Sequence, residues 1–177
     1  MSRFKIVLFG LAAFLLLPTA ASAFKVEIII DNDELYSAAK RSFHQGKLEE
    51  AAYYYSEAIR RHALSDQATV VAHSDLCVTL LFLERFDEAV AQCKVALDLM
   101  PNRWETLNNL GTVYLVRGDY GSAIAAYERA LGMKPNSHIL RSNKQLAIRR
   151  AKEAATDDPA VKAKKTDSLK GASGSGF

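Results

Sequence analysis

The feature that most constrains this chain is a self-similarity with a period of 34 residues. The stretch from Trp104 to Asn136 reads as one helix–turn–helix unit. Leu107, Leu110, Val113 and Tyr114 recur at three- and four-residue spacing, which gives a helix one apolar face. Gly118-Asp119 interrupts with turn chemistry, and Tyr120, Ala123, Ile124, Tyr127, Ala130 and Leu131 then restart the pattern until Pro135-Asn136. Moving the window back by 34 positions puts Leu110-Gly111 on Leu76-Cys77, Tyr120 on Phe86, Ala123 on Ala89, Tyr127 on Cys93 and Pro135 on Pro101. A third copy runs through Leu35, Ala38-Ala39, Gly46, Leu48, Ala51, Tyr55 and Ala58. Its Ala51 lies 38 positions before Ala89, so four extra residues fall near Ala63–Thr69. A single unit of this size cannot bury its own apolar face, so such units stack into a solenoid. Gly111 and Ala123 are expected where the two helices of the last unit cross, because a larger side chain would hold the backbones apart.

The pattern resembles the tetratricopeptide repeat (TPR) family, whose signature has a small residue after Leu, a later Ala, an aromatic four further on and a closing Pro. Leu107, Leu110, Gly111, Tyr114, Ala123, Tyr127, Ala130 and Pro135 carry it in the last copy. The family's Trp position is taken by Leu107, with Trp104 one turn earlier, and the first copy lacks the closing Pro. The resemblance spans about Asp31 to Asn136. It implies an all-α fold, a right-handed α-solenoid of three TPR-like helix-turn-helix repeats (about 32–65, 70–103 and 104–137) plus a C-terminal capping helix, 138–152. In that helix Leu140 and Ile148, with Ile139 as a further candidate, would face inward, and Arg141, Lys144, Arg149 and Arg150 outward.

Outside 32–152 the chain changes character. Ser2-Arg3-Phe4-Lys5 is a basic start, Ile6–Leu17 is an apolar run, and Ala21-Ser22-Ala23 has the small-x-small form of an export cleavage site. The run is about a dozen residues, short of the ~20 that span a bilayer. Residues 1–23 are therefore read as a signal peptide, with no stable membrane insertion after cleavage, and the chain as exported to a bacterial periplasm. Phe24–Ile30 (FKVEIII) reads as an extended leader, 24–31. Residues 153–177, rich in Lys, Ser and Gly, hold too little apolar surface to offset chain entropy and read as a disordered tail.

Charge narrows the partners. Phe24–Asn136 carries 12 Lys and Arg against 16 Asp and Glu, while Ser137–Phe177 carries 9 against 4. The formal net charge of +3 includes Arg3 and Lys5, so the processed chain is left near neutrality, and nucleic acid is not an expected partner. His44, His62, His73 and His138 are scattered, with no Gly-rich phosphate loop and no Ser/His/Asp order. No catalytic constellation emerges and no cofactor is implied.

One cluster stands out. His73 and Cys77 share a helical face at i, i+4, and Cys93 lies on the partner helix of the same repeat. Three readings stay open: plain packing of two small buried hydrophobes, a Cys77–Cys93 disulfide, or a soft metal site of His73, Cys77 and Cys93.

The family resemblance also assigns groove-facing roles to first-helix positions. These are Asp33, Tyr36, Lys40, Phe43 and His44 in the first copy, and Val71, Ser74, Asp75, Val78, Leu81 and Phe82 in the second. In the third they are Glu105, Asn108, Asn109, Thr112, Leu115 and Val116. The Lys/Arg/Asn set by which some family members clamp a C-terminal carboxylate is not reproduced, since Asp75 and Glu105 stand there. The centre of the groove is expected to be apolar, through Val78, Leu81, Phe82, Leu115 and Val116, with Asn108 and Asn109 bonding a ligand's backbone. A protein or peptide ligand is the expected partner. The competing reading has the chain's own Phe24–Ile30, or a second copy, covering the same patch.

Overall fold

Apolar residues recurring at helical spacing should pair into antiparallel hairpins, and the structure, a computed structural model describing residues 32–61 and 65–157, has that form. The described residues form seven α-helices and no strand: α1 (Asn32–His44), α2 (Leu48–Arg60), α3 (Asp66–Phe82), α4 (Phe86–Leu99), α5 (Trp104–Arg117), α6 (Tyr120–Met133) and α7 (His138–Asp157). Each helix packs on the next, and α3 also packs on α5 and α5 on α7. The result is an α-solenoid of three hairpins closed by α7. The segments read as signal peptide and extended leader lie outside the described residues. So does the tail beyond Asp157, but its first five residues do not: α7 continues past the expected end at Lys152.

The three hairpin turns are built alike. Gly46 and Gly118 take left-handed backbone angles (φ 74° and 87°), and Glu84 occupies the same place at φ 58°. In each turn the amide after this residue reaches back to a carbonyl of the helix just ended: Lys47 to Ser42 at 2.9 Å, Arg85 to Leu80 at 2.9 Å, Asp119 to Tyr114 at 2.8 Å. These bonds satisfy carbonyls the helix end would otherwise leave open. Asp119 then caps α6 by accepting from the Ser122 amide.

Inside each hairpin the same two positions meet, sixteen residues apart in sequence. In the last repeat Gly111 faces Tyr127: a Cβ built on Gly111 would lie 2.7 Å from Tyr127 Cε1. The close approach foreseen between Gly111 and Ala123 is therefore made with the tyrosine ring, although Ala123 is fully buried nearby. In the first repeat the pair is Ala39 and Tyr55, both buried. In the second it is Cys77 and Cys93, joined as a disulfide across a Cα–Cα distance of 5.4 Å. The reading as two free, packed thiols is corrected by that bond. The metal reading is corrected too. The sulfurs are bonded to each other, His73 Nδ1 is hydrogen-bonded to Gln92 Oε1 at 2.8 Å, and no metal-ligating trio converges among the described residues.

The cap follows the expected inside and outside, with two exceptions. Leu140 and Ala147 are fully buried against α6, Ile148 is half-buried, and Arg141, Arg149 and Arg150 are exposed. Ile139 is 59% exposed and faces out. Lys144, expected outward, is only partly so because it bridges to Glu128 of α6 at 2.8 Å.

Candidate binding groove on the first-helix face

The first helices of the hairpins share one face of the solenoid, and they are not evenly spaced. The backbones of α3 and α5 pack together, as do those of α5 and α7, whereas α1 and α3 stand farther apart. Long side chains bridge that wider gap. Tyr36 donates its hydroxyl to Asp75 Oδ2 at 2.8 Å, and the rings of Phe43 and Phe82 meet edge to face at 5.8 Å. Between these bridges lies a cleft of about 340 Å³ lined by Tyr36, Lys40, Phe43, His44, Tyr55, Val71, Asp75 and Val78. Phe82 sits at its far end with 61% of its surface exposed, which is unusual for so large an apolar side chain inside a repeat.

Asp75 gives this cleft its electrostatics. Burial pushes its carboxyl above the ordinary carboxylate range, against the opposing pull of the Tyr36 hydroxyl and the charges of Lys40 and Arg103. The Tyr36 and Tyr55 hydroxyls are pushed well up in turn, first by burial and then by the neighbouring Asp75. Lys40 holds its ammonium 5.8 Å from the centre of the Tyr36 ring, close to the acid without a direct ion pair. Arg103, in the turn before α5, buries its Nε with no hydrogen-bond partner among the described residues.

Along α5 the expected groove residues are partly committed to the fold. Asn109 donates to Ser74 Oγ at 3.1 Å, and Thr106 donates to the same atom at 3.2 Å, so buried Ser74 ties α3 to α5. Asn108 Oδ1 accepts from Asn143 of α7 at 2.9 Å. Thr112 donates to the Asn108 carbonyl and meets the Tyr127 hydroxyl at 3.1 Å, which turns it toward α6. Asn108 and Asn109 thus act as struts between first helices, with only part of their hydrogen-bonding capacity left for a ligand. Repeat spacing alone could not reveal this, because the partners Ser74 and Asn143 come from neighbouring units.

The apolar residues divide between two places. Val78 lines the α1–α3 cleft, with Phe82 at its end. Leu115 and Val116 instead line a second cleft of about 370 Å³ with Tyr120, Leu146 and Arg150, between the end of α5 and α7. Leu81 and Leu115 are half-buried and pack on the core cluster, while Val116 is 58% exposed. Glu105 is half-buried at the start of α5, His44 is exposed on the rim, and the side chain of Asp33 lies outside the described part. Tyr55 was missed as a cleft residue, because it sits on a second helix and the repeat frame assigns it to packing. Its ring does pack, yet its hydroxyl edge reaches the acid.

Comparison with known proteins agrees with this architecture. Residues 104–137 match the tetratricopeptide repeat family model. The Hsp70-Hsp90 organizing protein of Triticum aestivum is 32% identical over 127 residues, 72% of this chain and 20% of that protein. A small glutamine-rich tetratricopeptide repeat-containing protein of Dictyostelium discoideum is 25% identical over 129 residues, 73% of this chain and 37% of the relative. The chain therefore spans only a fifth to about a third of these relatives. Among solved structures, the first TPR domain of human RPAP3 superposes with a TM-score of 0.65 at 18% identity, covering 71% of this chain and 96% of that domain. The first TPR of Spaghetti (RPAP3), solved bound to the HSP90 peptide SRMEEVD, gives a TM-score of 0.60 at 21% identity, covering 72% and 98%.

Proposed function

We propose that this tetratricopeptide repeat protein is a non-enzymatic interaction module of the cell envelope that holds a peptide or helix of another protein on its first-helix face. The observation that carries the reading is the Phe43–Phe82 pair at the end of the α1–α3 cleft. A phenylalanine 61% exposed beside an apolar cleft is costly to leave in water and is covered when a ligand docks. That a structural neighbour is solved with a bound peptide on the same fold supports the mode of binding. It does not supply the ligand. An acidic tail such as SRMEEVD would meet half-buried Asp75 and Glu105 here, and like charges in a partly dry groove repel. The expected ligand is apolar and not acidic at its point of entry.

Phe82→Ala is expected to weaken capture of such a ligand by about one to two decades, the equivalent of burying one large apolar side chain. Its effect on folding is expected to be small, because most of the ring is already in water. Leu115→Ala is the less clean probe, since Leu115 packs on the core and its loss costs stability as well. Lys94→Ala, exposed on α4, serves as the control that leaves affinity unchanged. Calorimetry with a captured partner peptide checks this, and equal affinities for the wild type and Phe82→Ala would remove the cleft from the binding surface.

The envelope assignment rests on residues 1–23 and gains support from the Cys77–Cys93 disulfide, since such bonds persist in oxidising compartments. N-terminal sequencing of protein from its native host is expected to begin at Phe24. A chain still carrying Met1 or Ser2 would overturn both the processing and the compartment.

A further inference from the structure

Resting on the groove reading above, we propose that the chain's own segment Phe24–Ile30 occupies the α1–α3 cleft as an internal ligand, which a partner polypeptide must displace. In FKVEIII, Phe24, Val26, Ile28 and Ile30 fall on one face of an extended chain, and the charged Lys25 and Glu27 fall on the other with Ile29. Such a face needs an apolar partner of matching length, and the cleft begins where the segment ends. The hydroxyl bond between Tyr36 and Asp75 joins residues 39 positions apart, and the Phe43–Phe82 ring contact has the same offset. Asn32 at the head of α1 is therefore level with Val71, and the cleft runs from there to Phe82. That is eleven residues of helix, about 16 Å at 1.5 Å per residue. An extended chain advances roughly 3.3 Å per residue, so seven residues reversing at Asp31 reach about 23 Å and cover the whole length. Lying antiparallel to α1, the segment would carry Ile30 past Val71, Ile28 past Val78 and Val26 to the exposed ring of Phe82, with Phe24 just beyond it. The wider spacing of α1 from α3 leaves a trough on this face, floored by the Tyr36–Asp75 and Phe43–Phe82 contacts, along which one extended strand can lie.

The test uses the processed chain, Phe24–Phe177, and a labelled synthetic peptide of residues 24–32, FKVEIIIDN, added in trans. The double variant Val26→Asp/Ile28→Asp should empty the cleft and bind the peptide at least tenfold more tightly than the unaltered chain does. Phe82→Ala in that background should lose the gain. Ile29→Asp, on the opposite face, should behave as the unaltered chain. In the unaltered chain, methyl nuclear Overhauser effects between Ile30 and Val71, and between Ile28 and Val78, are expected; this measurement does not depend on any variant. Equal peptide binding to the unaltered chain and the double variant, or absence of those methyl contacts, overturns the proposal. So does an unaltered chain that sediments as a dimer while the double variant is a monomer, which would place the segment on a second copy. Partner capture that depends on Phe82 while the peptide binds nowhere would sink the internal ligand and leave the groove reading standing.

Discussion

Replacing Cys77 and Cys93 together by alanine is expected to lower the unfolding free energy by about 3 kcal/mol. The two residues are separated by 16 positions, and closing a loop of that size removes roughly this much entropy from the unfolded chain. Both residues are fully buried, so their loss also opens space in the second repeat. For a domain of this size the loss corresponds to a fall in melting temperature of roughly 10 °C or more. The disulfide holds the position where the other repeats set a small residue against an aromatic ring, which gives the experiment a rescue arm. Cys77→Gly with Cys93→Phe rebuilds the Gly111–Tyr127 contact without a crosslink and is expected to recover part of the loss. Phenylalanine is the better graft, since the residue corresponding to Thr112, the hydroxyl partner of Tyr127, is Val78 in the second repeat. Urea denaturation of the three proteins decides the matter. Equal midpoints for wild type and the double alanine variant would mean that packing alone holds the pair.

That pairing shows how far the sequence could be read. Helix positions, the hairpin order and the burial of Leu107, Ala123, Tyr127 and Ala130 followed from periodicity, because packing on one face imposes spacing directly on a single helix. Cys77 and Cys93 could be placed on facing helices, but whether sulfurs bond depends on separations of an ångström or two that spacing does not encode. The groove was legible only in part. Val78 lines the α1–α3 cleft and Phe82 is exposed beside it, because exposure at a first-helix position follows from the repeat frame. Asn108, Asn109 and Thr112 were assigned to a ligand, and the structure spends much of their hydrogen bonding on Asn143, Ser74 and Tyr127. A polar side chain takes whichever partner the neighbouring unit presents, and no pattern within one repeat reports that choice. The uneven spacing of α1 was likewise foreshadowed only by the four extra residues before the second copy.

Gly111→Leu is expected to cost about 3 kcal/mol, whereas Gly111→Ala should cost little. The reasoning turns on what the new side chain meets. A Cβ at Gly111 would sit 2.7 Å from Tyr127 Cε1 and 2.9 Å from its Cδ1 and Cζ, so the ring must move or the helices must part. The ring has little freedom, being fully buried with its hydroxyl at 3.1 Å from Thr112. Parting the helices by a methyl's width is tolerable, since the first repeat carries Ala39 opposite Tyr55 in the same two positions and buries both. Alanine also favours the helical backbone over glycine by about 1 kcal/mol, which offsets most of the clash. Leucine gains a similar backbone preference but adds three more carbons to a site with no room, and overpacking of that kind costs about 1–3 kcal/mol or more. The two substitutions should therefore separate by several degrees in thermal melts. A cycle with Tyr127→Ala isolates the cause: once the ring is gone, Gly111→Ala should become stabilising. If Gly111→Leu melts with the wild type, or if its cost persists undiminished without the ring, the Gly111–Tyr127 contact is not what sets the spacing of α5 and α6.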